Sequence, residues 1–185
     1  MTTPLDASKT RPLDGGASFS LGNRIFRVWW SVCWLLLARF TPPPFHRWRS
    51  LVLRAFGARL GSRCRIHGSV KIWHPRNLVI GDRVLVGPGA RLYNQGRIEI
   101  GEGTVISQRA HLCASTHALE DPNFQLLLRP INIGKNCWVA AEAFVGPGAS
   151  MSDGAVLGAR GCLFGRAEQN SVYGGNPAKY IKSRG

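Results

Sequence analysis

From Leu60 onward, aliphatic residues return every six positions. The series runs Leu60, Ile66, Ile72, then Ile80, Val86, Leu92, then Ile100, Ile106, Leu112. It resumes at Ile133, Val139, Val145 and continues through Met151, Leu157, Leu163. The next residue is often small, as at Gly61, Gly81, Gly87, Gly101, Gly134 and Gly158. The residue four after each is small or β-branched, as at Cys64, Val84, Ala90, Thr104, Ala110, Cys137 and Ala143. A period of six matches neither a helix nor an alternating strand. It predicts a parallel β-helix, in which each hexapeptide gives one short strand and one turn. Three hexapeptides close a triangular coil, and coils bury their apolar edges only against their neighbours. Two coils each carry two extra residues, "NL" before Val79 and "RI" before Glu99, and the register returns at Ile80 and Ile100. About five coils are expected on this count.

The chain ahead of Leu60 follows a different pattern. Residues 1–20 are polar with scattered Pro and Gly and read as disordered. "NRIFRVWWSVCWLLLARF" (23–40) reads as a helix with Asn23 as its N-cap, ended by "TPPP". Its apolar run, Val28 to Ala38, is far short of the roughly 20 residues a membrane span needs. "FHRWRSLVLRAFG" (45–57) reads as a second helix. The expected organisation is a disordered N-terminus over 1–20 and a basic, aromatic-rich helical segment over 21–57. A β-helix follows over 58–172, and a basic tail over 173–185. The period breaks once, directly after His117, at "ALEDPNFQLLLRPIN" (118–132). The apolar Leu126–Leu128 predicts that the tip of this excursion packs on another surface, such as a second prism.

Charge sharpens the contrast. The formal charge is +14, with 11 basic and 2 acidic residues over 1–65 against 13 and 8 over the remainder. A basic N-terminal third suits an anionic partner. Trp29, Trp30 and Trp34 with Arg24, Arg27 and Arg39 favour a lipid interface over nucleic acid. The five cysteines form no CxxC pair, which argues against a zinc cluster or disulfide framework. "MTTPLDASKTRPLDGG" lacks the apolar core of a signal peptide, so the expected location is cytoplasmic, peripheral at the inner membrane face.

A prism of short flat faces has no pocket of its own, so a site needs a projection or a neighbour. His117, at the root of the excursion, carries an imidazole, the side chain best suited to a general base. His111 lies six residues earlier, on the preceding face, and is read as pointing into a different cleft. His67, His74, His111 and His117 lack the spacing of a convergent metal set, and no metal is expected.

The segments "SFSLGNR", "RIHGSVKIW", "LYNQGRIEIG", "ISQRAHLCASTH", "CWVAAEAFVGPG", "VLGAR" and "YGGNPAKYIKSR" resemble the hexapeptide-repeat acyltransferases. Among them the chain is most similar to acetyltransferases of colanic-acid-type exopolysaccharide biosynthesis. Galactoside, maltose and nodulation acetyltransferases are more distant. The resemblance implies an all-β, left-handed parallel β-helix preceded by short amphipathic helices. It also implies a homotrimer with sites between subunits and acetyl-CoA as acyl donor. A sugar or lipid-linked oligosaccharide would be the acceptor, and a sugar hydroxyl would be O-acetylated by direct attack. His117 matches the family's general base, and Ala141 of a neighbouring subunit would donate its N–H to the tetrahedral intermediate. Trp138, Ala141 and Ala159 match positions along the donor groove, and Lys179 and Arg184, then Arg160 and Arg166, are candidates to meet the CoA phosphates. Tyr93 and Asn94 are the acceptor candidates. One departure stands out: "LFGRAEQNS" replaces the family's usual Thr- and Lys-bearing segment, with Arg166 shifted by one. A catalytically silent scaffold binding membrane or partner proteins is the alternative reading.

Overall fold

A computed structural model describes residues 3–185. The period of six becomes three parallel sheets, the faces of a triangular prism. Face 1 stacks Arg59–Leu60, Leu78–Ile80, Ile98–Ile100, Ile131–Ile133, Ser150–Met151 and Arg166–Ala167. Face 2 stacks Arg65–Ile66, Leu85–Val86, Val105–Ile106, Trp138–Val139, Val156–Leu157 and Ser171–Gly174. Face 3 stacks Lys71–Ile72, Arg91–Tyr93, His111–Cys113, Phe144–Val145 and Cys162–Leu163. Aliphatic residues pair with their own kind one coil away, as Ile72 with Leu92 and Ile106 with Val139. From Ile66 to Leu163 every aliphatic position of the series is buried. The small positions lie at crowded corners: a Cβ on Gly101 would stand 2.5 Å from the Gly134 carbonyl carbon.

The stack is one level taller than the expected five coils, because faces 1 and 2 each hold a sixth strand. The sixth level comes from the departing segment. Leu163 is followed by an inward Ala167 after four residues instead of six, with Gly165 turning at φ +96°. The expected basic tail is a strand as well: Lys179–Ser183 pairs antiparallel with Ser171–Gly174 and covers the outer edge of face 2. Covering an exposed edge in this way removes a template for unwanted strand pairing.

The opposite end is covered by helices. After α1 (Ala7–Thr10) comes α2 (Leu21–Trp34), continued by a wider turn over Leu35–Arg39, and then α3 (His46–Ala55). The N-cap of α2 is Ser20, whose hydroxyl accepts from the Asn23 N–H, not Asn23 itself. Phe26, Trp30, Trp34 and Ala38, four apart, pack on the core. The first coil has unpaired edge carbonyls, and the cap supplies their donors. Trp30 Nε1 donates to the Ile72 carbonyl at 2.8 Å, and Trp34 Nε1 to the Gly68 and Val70 carbonyls at 3.2 Å. Arg49 is fully buried and donates to the carbonyls of Ile66, Thr41, Pro42 and Pro43.

Residues 3–20 also differ from the expected disorder; residues 1 and 2 lie outside the described residues. Asp6 caps α1, Ala7 and Phe19 are buried, and the Ala7 N–H donates to Gln125 Oε1 at 2.7 Å. Two apolar anchors and a bond to the excursion fix a segment whose composition alone is too polar to fold. Among the described residues, no helix is long and apolar enough to cross a membrane.

Candidate active site

The excursion begins earlier than its sequence suggests. Ser115–His117 pairs antiparallel with Leu126–Leu128, so the chain leaves the prism at Ala114 and His117 stands on a hairpin strand. The three leucines are the return strand and not the tip; Leu126 is buried against the hairpin's own surroundings.

The hairpin's turn determines the chemistry of His117. Asp121 accepts from the Asn123 N–H through Oδ1 and from the Phe124 N–H through its carbonyl, both at 2.8 Å. Phe124 adopts a left-handed φ of +53°. That conformation is uncommon for an aromatic residue, and it folds Phe124 back onto His117. The rings stack with centroids 4.2 Å apart and an 11° interplanar angle. The Phe124 carbonyl lies 2.8 Å from His117 Nδ1 and can only accept, which assigns the proton of the neutral ring to Nδ1. Nε2 keeps its lone pair, as a base requires. The group that orients the ring is thus a backbone atom, the Phe124 carbonyl. Gln125, next in the chain, bonds the N-terminal segment at Ala7 and Leu5, so that segment braces the hairpin.

His117 opens on a 610 Å3 cavity lined also by Phe19, Arg24, Arg27, Trp73, Tyr93, Gln95, Cys113, Ser115 and Thr116. Tyr93 lines this cavity, and its hydroxyl accepts from Gln95 Nε2 at 2.9 Å. Asn94 does not: it is fully buried. Its Oδ1 accepts from the Trp73 and His74 N–H groups and its Nδ2 donates to the His74 carbonyl. Asn94 therefore fastens two coils where the extra residues are accommodated, and its assignment as an acceptor contact is corrected.

A second groove of 490 Å3, lined by His111, Lys71 and Arg91, shares Arg27, Trp73, Tyr93 and Cys113 with the first. The two histidines thus face adjoining grooves. His111 belongs to an aromatic ladder on face 3 that runs Trp73, Tyr93, His111, Phe144, Phe164. Burial lowers its pKa, with Arg91 adding to the effect. Among the described residues, no group of three or more His, Cys, Asp or Glu side chains is placed to hold a metal. Burial raises the pKa of the Cys64 and Cys137 thiols, keeping them protonated.

The donor candidates divide into two groups. Trp138 is exposed on face 2, its Nε1 donating to Ser107 Oγ at 2.9 Å. Ala141 and Ala159 occupy equivalent corners of adjacent coils at the edge between faces 2 and 3, linked by the Arg160 N–H to the Ala141 carbonyl. Among the described residues, the Ala141 N–H has no hydrogen-bond partner. Arg160 remains at this edge, tied to Glu142 together with Arg109. Lys179 pairs with Gly174 on the last level of face 2. Arg166 and Arg184 are elsewhere. The shortened coil turns Arg166 outward on face 1, where it bonds Ser152 and Glu168. Arg184 donates to the Asn136 and Gly154 carbonyls, at the edge between faces 1 and 2. Neither shares an edge with Ala141 and Ala159.

Against known proteins, the chain is 41% identical over 167 residues to WcaF of Escherichia coli (strain K12), whose name describes a colanic acid biosynthesis acetyltransferase. That match covers 90% of this chain and 91% of WcaF. Among solved structures, a hexapeptide-repeat acetyltransferase of Vibrio cholerae in complex with acetyl coenzyme A superposes with a TM-score of 0.81 at 16% identity. The superposition covers 98% of this chain and 100% of that one. A galactoside acetyltransferase in complex with coenzyme A gives a TM-score of 0.77 at 18% identity, over 98% and 92% of the two chains. No protein-family model matches the chain.

Proposed function

The chain is an acetyltransferase belonging to the hexapeptide-repeat acyltransferase family, and from that premise we propose that it moves the acetyl group of acetyl-CoA onto a sugar hydroxyl of an exopolysaccharide or its lipid-linked precursor. His117 Nε2 takes the hydroxyl proton as the oxygen attacks the thioester carbonyl. The tetrahedral oxyanion collapses, the C–S bond breaks, and the imidazolium returns its proton to the departing thiolate. The products are an O-acetyl sugar and free CoA. The observation that carries this reading is the Phe124 carbonyl 2.8 Å from His117 Nδ1, which in the neutral ring places the lone pair on Nε2, with His117 lining a cavity. General-base assistance of this kind contributes roughly 10²–10⁴-fold.

Donor and base stand on different edges of one prism. His117 projects where face 3 turns to face 1, whereas Ala141 and Ala159 line the edge between faces 2 and 3. A neighbouring copy would bring the second edge to the first, and its Ala141 N–H is open to take the oxyanion. This favours a homotrimer with sites between copies. The outer side of α2 and its continuation favours a lipid surface. Ile25, Val28, Trp29, Val32, Leu36 and Phe40 are exposed there, although the inner side already packs on the core. A helix apolar on both sides with arginines at its flanks suits the bilayer interface, where lipid-linked sugars reside.

The test is transfer of labelled acetyl from acetyl-CoA into a lipid-linked oligosaccharide extract, followed by mild alkali. Alkali-labile label is expected, because an ester forms. Label stable to alkali would replace the hydroxyl acceptor with an amine. Absence of transfer together with absence of CoA binding would reject the proposal.

A further inference from the structure

The wall of the His117 cavity opposite the hairpin is formed by the N-terminal segment and the first turns of α2. Gly15, Gly16, Ala17, Ser18 and Phe19 pass across it, followed by Arg24 and Arg27 one helical turn apart. Gly16 lets the segment fold back on itself here, because a Cβ there would collide with the Thr10 carbonyl. Arg27 is half-buried, its guanidinium 4.4 Å above the Trp73 ring and its Nε bonded to Asn23 Oδ1 at 3.0 Å.

Neither arginine has a carboxylate partner among the described residues, and no Asp or Glu lines either groove at the site. Other cationic side chains of the fold do have carboxylate partners: Arg83 pairs with Glu102, Arg97 with Glu99, and Arg109 and Arg160 with Glu142. Burial lowers the pKa of Arg27; Tyr93 opposes that shift, and the neighbouring Arg24 charge adds to it. Two adjacent guanidinium groups, one half-buried and both lacking a carboxylate partner, make a cavity that an anion would stabilise. The neutral lining around them is suited to a sugar: the exposed Tyr93 offers a ring face, and Ser115 and Thr116 offer hydrogen-bonding groups.

We propose that Arg24 and Arg27 form an oxyanion subsite for the acceptor, so that the sugar presented to His117 carries a carboxylate or phosphate group. This rests on the reading of the His117 cavity as the acceptor site. A uronic acid and a glycosyl phosphate share the required chemistry. Arg27 supplies the directed contact, its ring-stacked guanidinium leaving its terminal N–H groups for the anion, and Arg24 adds charge from the exposed side.

The test is binding without acetyl-CoA, measured by titration calorimetry on the full chain. The probes are methyl β-D-glucuronide, glucose 1-phosphate and the neutral methyl β-D-glucoside. At least one anionic probe should bind the wild type about 10- to 100-fold more tightly than the glucoside. Tighter binding of the glucuronide identifies a carboxylate acceptor, and tighter binding of the phosphate a glycosyl phosphate. Arg27→Gln should reduce the anionic probe to the level of the glucoside. Arg24→Gln, at an exposed position that cannot disturb folding, should produce a smaller loss in the same direction. Equal binding of all three probes by the wild type overturns the proposal, as does an unchanged preference in Arg27→Gln with its melting temperature intact. Because no acyl group is transferred, a failure here leaves the role of His117 untouched. A failure of acetyl transfer with anion binding intact removes the acyltransfer reading alone.

Discussion

Residues 15–81 carry 11 Arg and Lys and no acidic residue; residues 82–185 carry 11 Arg and Lys and 8 acidic residues. In the second region the charges pair across coils, as Arg83 with Glu102 and Arg160 with Glu142. In the first region, arginines find other partners. Arg49 and Arg54 donate to the edge carbonyls of the first coil, and Arg27 and Arg76 lie over the rings of Trp73 and Phe26. The repeating coils are nearly self-sufficient in charge and hydrogen bonding and have flat faces. The cap and the excursion are not self-sufficient, and the cavity beside His117 forms where those two meet. Regular stacking thus gives a rigid frame, and the irregular parts give the chemistry.

The sharpest way to break the contrast is to remove a cationic side chain from each region. Arg49→Met removes the buried donor to four carbonyls and should cost about 3–5 kcal/mol in urea unfolding. Arg83→Met breaks an exposed ion pair and should cost less than about 1 kcal/mol. Equal costs would mean that the cap is not held by its carbonyl bonds.

The next effect depends on pH. His74 is buried at the join between cap and coils, stacked on Phe26 at 4.6 Å. Burial, with Arg76 and Arg27 nearby, pushes its pKa down to about 4 from the ordinary value of 6.5. Between those values the unfolded chain binds a proton that the folded chain does not. Stability is therefore full above pH 6.5 and falls as the pH drops towards 4, by at most about 3 kcal/mol from this group. The urea midpoint should decline over that window, and His74→Phe should flatten the decline. An identical slope in the variant would remove His74 as its source.

A smaller effect is expected at the hairpin turn. Phe124→Ala removes the stacked ring but keeps the carbonyl, and should lower kcat about 10-fold, or roughly 1.4 kcal/mol, without changing KM for acetyl-CoA. A change in KM alone would mean that the ring serves binding.

The prism is legible because each coil can bury its edge only against the next, which forces an aliphatic residue inward every sixth position. The same arithmetic shows where it misleads. Arg166 looks like a donor contact by similarity, but the four-residue step from Leu163 to Ala167 shifts it onto face 1. Counting the phase through Gly165 would have revealed the shift. Asn94 was misread because a buried amide that bonds only backbone looks, in sequence, like any polar residue next to a binding tyrosine. Arg49 is one of many arginines in its segment, and its burial follows from the unpaired edge it meets, which no local pattern encodes. The partner of His117 is a backbone carbonyl, which has no residue identity; the "DPN" turn at Asp121–Asn123 was the available signal.

The most direct test of the division between a binding frame and a reactive excursion is to measure acetyl-CoA affinity and acetyl transfer side by side in wild type and His117→Gln. Affinity should stay within about 2-fold while transfer falls by roughly 10²–10⁴-fold. Transfer within a few-fold of wild type, or a parallel loss of affinity, would contradict the account.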